Sequence, residues 1–144
     1  MNLNGIIAAR IALRLGLFVE EYDCGYVAIA VDHQTAKGKH LTPAVAYYPK
    51  TSVPLSERGP LFQMPELAIE IKFSDQSMKD LRDKAADYLS DGCEIVWLVH
   101  PEKRLINVHT SEGEFVLTDG DRLDGGDVLT GFSVAVRDLF PPKA

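Results

Sequence analysis

The sequence is poor in the residues that build stapled or metal-clustered domains, with two cysteines, one tryptophan and four histidines in 144 residues. Cys24 and Cys93 lie far apart, with no Cys-X-X-Cys and no Cys/His spacing. That excludes the usual structural zinc motifs and a disulfide framework. Both cysteines read as small side chains, buried or half-buried. No apolar run approaches the ~20 residues of a membrane-spanning helix. The first twenty residues carry Arg10 and Arg14 within their pattern, unlike a secretory leader. The expectation is a cytoplasmic protein with no membrane contact. Positive charge is also scarce: 15 Lys and Arg stand against 21 Asp and Glu, for a net charge of −6. Nucleic-acid-binding chains usually show a basic stripe, so this balance weighs against general affinity for them. A locally basic cleft is still compatible with it.

What is present suits one globular domain spanning residues 1–144. Residues 4–20 read as a helix, with Ile7, Ile11, Leu15 and Phe18 on one face, Asn4 as the cap, and Arg10 and Arg14 on a solvated face. Tyr26 to Val31 is β-prone and is followed by a polar loop, Asp32 to His40, whose His33 and His40 read as plain loop histidines. A second strand covers Pro43 to Tyr48, and residues 49–65, with four prolines and a glycine, form an extended loop. A second helix runs to about Asp91. Its inner stripe is Met78, Leu81, Ala85, Tyr88 and Leu89, with a Ser77/Asp80 capping box and Gly92 as a stop. Lys84 lies at the border of that stripe. The apolar run Ile95 to Val99 is a buried strand, and Leu105–His109 and Glu114–Leu117 complete a three-strand meander. A turn-rich tail then ends in Val134 to Phe140, which docks on the core. The order predicts an α/β (α+β) fold, a mixed sheet flanked by helices with a C-terminal β-meander.

The central stretch is Pro65 to Phe73. Its period of two places Leu67, Ile69, Ile71 and Phe73 on one face and Glu66, Ala68, Glu70 and Lys72 on the other. A carboxylate and an ammonium on one face of a half-buried strand can hold a divalent cation beside a phosphate. The plainer alternative is a wet polar face on which Glu70 and Lys72 form a surface ion pair, contributing at most ~1 kcal/mol.

Pro65–Ile71, Lys84–Leu89, Gly92–Val99, Leu123–Leu129, Gly131–Ser133 and Asp138–Phe140, taken in order, resemble the bacterial putative restriction endonuclease family of the PD-(D/E)XK superfamily. The resemblance implies a restriction-endonuclease-like core and metal-dependent phosphodiester hydrolysis of DNA. It implies Mg²⁺ or Mn²⁺ held by Glu70 with the carbonyl of Ile71, and a homo-oligomer, with a dimer as the expected state. The lysine role falls on Lys72, preferred on geometry, with Lys84 as the substitute that other members use. The chain departs from the family at two places. Ala44 follows Pro43 where the family has the aspartate that supplies the first metal ligand, and the family's usual N-terminal segment is expected to be lacking. With one side-chain carboxylate left, Mg²⁺ binding is expected to be weak. Glu66 stands ~13 Å from Glu70 along the strand, too far to join its shell. Asp32 is a candidate replacement. These departures imply an endonuclease-type protein of impaired activity. The alternative is a catalytically degenerate binding or dimerisation module on the same fold.

Overall fold

The computed structural model describes residues 2–51 and 59–143. Its scaffold is a six-stranded mixed sheet with one helix on each face. The strands are β1 (Gly25–Ile29), β4 (Val45–Pro49), β5 (Leu67–Ile71), β6 (Ile95–His100), β7 (Leu105–Thr110) and β8 (Gly113–Leu117), in spatial order β1-β4-β5-β6-β7-β8. Two short strands, β2 (His33–Gln34) and β3 (His40–Leu41), form a separate ladder in the connection between β1 and β4. Only β5 and β6 run parallel, and helix α2 (Met78–Ser90) is their crossover. The remaining pairs in the sheet are antiparallel, and β6-β7-β8 is the expected meander.

Helix α1 (Leu3–Tyr22) lies on one face of this sheet because Ile7, Ile11, Leu15 and Val19 recur every three to four residues and are all buried. They pack on Val45, Leu67, Ile69, Ile71, Trp97 and Val99. Asn2 caps the helix by accepting the amide of Gly5. The cap is therefore Asn2 and not Asn4, whose amide group instead donates to the carbonyl of Lys72. Phe18 is only partly buried, edge-on to Phe132, and Val19 takes the inward place. Arg10 is not purely solvated, since it donates to the carbonyl of Asp138 and ties α1 to the chain's last turn.

On the opposite face α2 lays Leu81, Ala85 and Tyr88 over Ala68, Val96 and Leu98. Its start is fixed by a complete capping box between Ser77 and Asp80. Just past its end Gly92 adopts φ 111°, a conformation that favours glycine. Two helices on two faces leave no wet side to β5: all five of its residues are buried. The plainer alternative of a wet polar face therefore fails at Glu70. Phe73 also departs from its expected inward place. It lies beyond the strand and is exposed.

The tail is more regular than a run of turns. Strands β9 (Arg122–Gly125) and β10 (Leu129–Ala135) form an antiparallel hairpin with a register shift between Leu129 and Ser133. The hairpin and the following 3₁₀ turn, Val136–Leu139, place Leu123, Phe132, Val136, Leu139 and Phe140 against the α1 side of the core, as expected for the terminal apolar stretch. Within the loop before β4, His33 is fully buried and not a plain loop residue. Residues 52–58 of the expected 49–65 loop lie outside the described residues. No helix among the described residues is long and apolar enough to cross a membrane.

Candidate functional site

Glu70 lies on the α2 face of β5, near the middle of the sheet, and is 6% exposed. A carboxylate taken out of water needs partners, and α2 supplies them. The Tyr88 hydroxyl donates to Oε2 at 2.6 Å, and the Lys84 ammonium lies 3.6 Å from Oε1. Lys84 and Tyr88 are four residues apart on one helix face, so a single side of α2 delivers both. Burial pushes the Glu70 carboxyl above the usual carboxylate range, while Tyr88 and Lys84 draw it part of the way back. Burial and the Glu70 charge push the Tyr88 phenol well above its ordinary value, so it acts as a donor.

Lys72 does not meet Glu70. Its ammonium is turned to the carbonyl of Phe73 at 3.2 Å. Among the described residues the lysine that reaches Glu70 is Lys84, the helix residue at the border of the stripe. Ala44 lies just before β4, where the β4–β5 ladder ends: Val45 is opposite Ile69, and the Ala44 amide donates to the Ile69 carbonyl, one residue before Glu70. A groove of 310 Å³ opens here, bordered by Asn4, Ala8, Pro43, Ala44, Glu70 and Ile71. The first-ligand position of the resemblance thus faces open space and carries a methyl group.

The candidate replacement, Asp32, does not fill it. Asp32 is engaged with His40 at 2.8 Å and with the Thr42 hydroxyl at 3.3 Å. Glu66 sits at the far end of the strand, its carboxyl raised by burial and by Glu94. Among the described residues no group of three His, Cys, Asp or Glu side chains is placed to hold a metal ion. A divalent ion that wants six oxygens would find one side-chain carboxylate, already paired with Lys84. The donor set does not fit a complete metal centre.

One further polar residue was missed by sequence reasoning, and another, His33, was read as a plain loop residue. His100, at the end of β6, is 7% exposed, and its Nδ1 accepts the amide of Lys103. The available signal was phase: Val96, Leu98 and His100 alternate onto the α2 side. Deeper in the same layer His33 bonds through Nε2 to the Tyr48 hydroxyl, and burial lowers its pKa. Cys93, buried nearby, has its thiol pushed up to about 12 and is inert.

No curated protein matches the chain. Among solved structures it is similar to a putative nuclease belonging to DUF820 from Anabaena variabilis ATCC 29413, with a TM-score of 0.86 at 16% identity, covering 97% of this chain and 81% of that one. That likeness shows the fold. A weaker one, to the DrdV–DNA complex, has a TM-score of 0.46 at 15% identity over 74% of this chain and 9% of that one, and carries no argument. The family profile described as Uma2, putative restriction endonuclease, matches residues 1–137, nearly the whole length. The chain therefore belongs to the Uma2 family of putative restriction endonucleases, as the ordered segments from Pro65 to Phe140 led one to expect.

Proposed function

We propose that this chain is a nuclease-type protein whose site is centred on Glu70 and is one carboxylate short, so that metal-dependent cleavage of DNA is impaired. The observation that carries this reading is that Glu70 and Ala44 border one open groove. This reading takes Glu70 as the buried, partnered carboxylate that a nuclease of this family needs, and Ala44 at the groove's edge as a residue that cannot ligate. In this reading the carbonyl of Ile71 and the carboxylate of Glu70 are the remaining ligands for Mg²⁺ or Mn²⁺. Lys84 is the cation that keeps Glu70 ionised despite its burial, and Tyr88 fixes the carboxylate's orientation. When bound, such an ion would supply charge stabilisation at a phosphoryl oxygen.

The specific expectation is gain of function. Ala44→Asp has room in the groove, and we expect it to cleave single- or double-stranded DNA in Mn²⁺ at least tenfold faster than the native chain. Adding Glu70→Gln to that variant should abolish the gain. Native turnover equal to that of Ala44→Asp would sink the reading. A second reading, a catalytically silent binding module, is favoured by the same alanine and by the net charge of −6. Multiple turnovers by the native chain would eliminate it.

A further inference from the structure

The groove at Glu70 continues, past Asn2, Asn4 and Phe73, into a second cleft of 310 Å³. This cleft lies at the carboxyl ends of the parallel pair β5 and β6 and is bordered by Leu3, Asn4, Lys72, Ser74, His100 and Glu102. Its lining is dominated by donors. The amides of Leu3 and Asn4 belong to the first turn of α1, where helix amides lack intrahelical partners. Asn2 caps only the amide of Gly5. Lys72 brings an ammonium, Ser74 a hydroxyl.

His100 supplies the independent indication. It is 7% exposed, and its Nδ1 accepts the Lys103 amide, so in the neutral ring the proton sits on Nε2. That Nε2–H has no hydrogen-bonding partner among the described residues, and the ring borders the cleft. Nε2 is not among the fully buried polar atoms that lack a partner, so this N–H opens on the cleft, where water or a ligand can accept from it. Lys72 and His100 are neighbours across the parallel pair, because Ile71 is opposite Val99 and the Lys72 amide donates to Val99. The charged groups around the imidazole are Lys72 and Lys103, with Glu102 as the single carboxylate.

We propose that this cleft binds a phosphate group, held by Lys72, the Nε2–H of His100 and the first-turn amides of α1. The phosphate is that of a nucleic-acid strand whose neighbouring phosphate lies at Glu70. Convergent donors on one side and a helix N-terminus on the other suit a tetrahedral oxyanion. Residues two apart on a strand are separated by about 7 Å, which is comparable with the step between successive phosphates of an extended strand. The strand assignment rests on the nuclease reading above; the phosphate site itself does not.

The test is a titration in metal-free buffer that follows the amide signals of Leu3 and Asn4 and the ring nitrogens of His100 by NMR. Inorganic phosphate and, separately, a short single-stranded oligodeoxynucleotide without terminal phosphates are the probes. Both should produce saturable shifts at these three residues. Lys72→Met should weaken each titration at least tenfold, Glu102→Gln should tighten it, and Lys79→Met, on the outer face of α2, should leave it unchanged. His100→Ala should weaken it as well. Because that residue is buried, the exposed Lys72 variant keeps the test intact if the His100 variant misfolds. Absence of shifts, or shifts that survive Lys72→Met, would overturn the site. Binding of inorganic phosphate without the oligonucleotide would overturn the strand assignment. Since no metal is present, a site that binds phosphate in a chain that never cleaves DNA would contradict the nuclease reading alone.

Discussion

Tyr88 donates a 2.6 Å hydrogen bond from α2 to the buried carboxylate of Glu70 on β5. The contact joins helix to sheet and sets the direction of the one acidic side chain that borders the Ala44 groove. A charged acceptor makes such a bond stronger than a neutral one.

Removing that donor leaves a buried carboxylate oxygen short of a partner. Tyr88→Phe is therefore expected to lower unfolding stability by about 1–3 kcal/mol, read as a shift of the urea midpoint. An unchanged midpoint would mean that water or another residue already satisfies Oε2.

The two lysines should separate by kinetics. In an Ala44→Asp background, Lys84→Met is expected to lower kcat by about 10²-fold or more, as for loss of one charge-stabilising group. Lys72→Met, remote from Glu70 but within the second cleft, should chiefly raise KM. Interchanged effects would return the lysine role to Lys72.

His33 makes stability depend on pH. It is fully buried, and desolvation holds its pKa below the ordinary 6.5. As pH falls through 6.5 the unfolded chain takes up this proton before the folded one does, so the ring's contribution is complete above pH 6.5 and is lost below it. His100 and His109 are lowered in the same sense. Glu70, raised by burial, acts oppositely at lower pH. Comparing His33→Gln with the native chain isolates the one term: the variant should lose less stability between pH 7 and pH 5. Equal losses in the two proteins would contradict the assignment.

Gly25 is required by close backbone approach. A Cβ there would fall 2.0 Å from the carbonyl oxygen of Tyr48 on the paired strand β4. Gly25→Ala should cost about 2–3 kcal/mol, near the upper end for overpacking, because a strand backbone has to give way. A thermal midpoint like that of the native chain would show that β1 shifts freely.

Local pattern carried much of this fold. Ile95 to Val99 is apolar throughout because β6 is covered on both faces, and Ser77/Asp80 with Gly92 bounds α2. The two-sided burial of β5 was not legible, since Glu66, Glu70 and Lys72 look solvated until α2 is laid over them. Which lysine meets Glu70 depends on how α2 sits on the sheet, a tertiary fact that spacing along the strand does not contain. His33 is buried by partners distant in sequence, Tyr48 and Leu61. The β9–β10 hairpin was hidden by its register shift, which breaks the alternation between Leu129 and Ser133. The Ala44 departure was visible in the sequence, but not the empty groove in front of it.

Calorimetric titration with Mn²⁺ of the native chain, Ala44→Asp, Glu70→Gln and the double variant tests the central claim without any guess at substrate. The account predicts weak or absent binding by the native chain, at least tenfold tighter binding by Ala44→Asp, and loss of that binding when Glu70→Gln is added. Tight binding by the native chain, or binding by Ala44→Asp that survives Glu70→Gln, would contradict it.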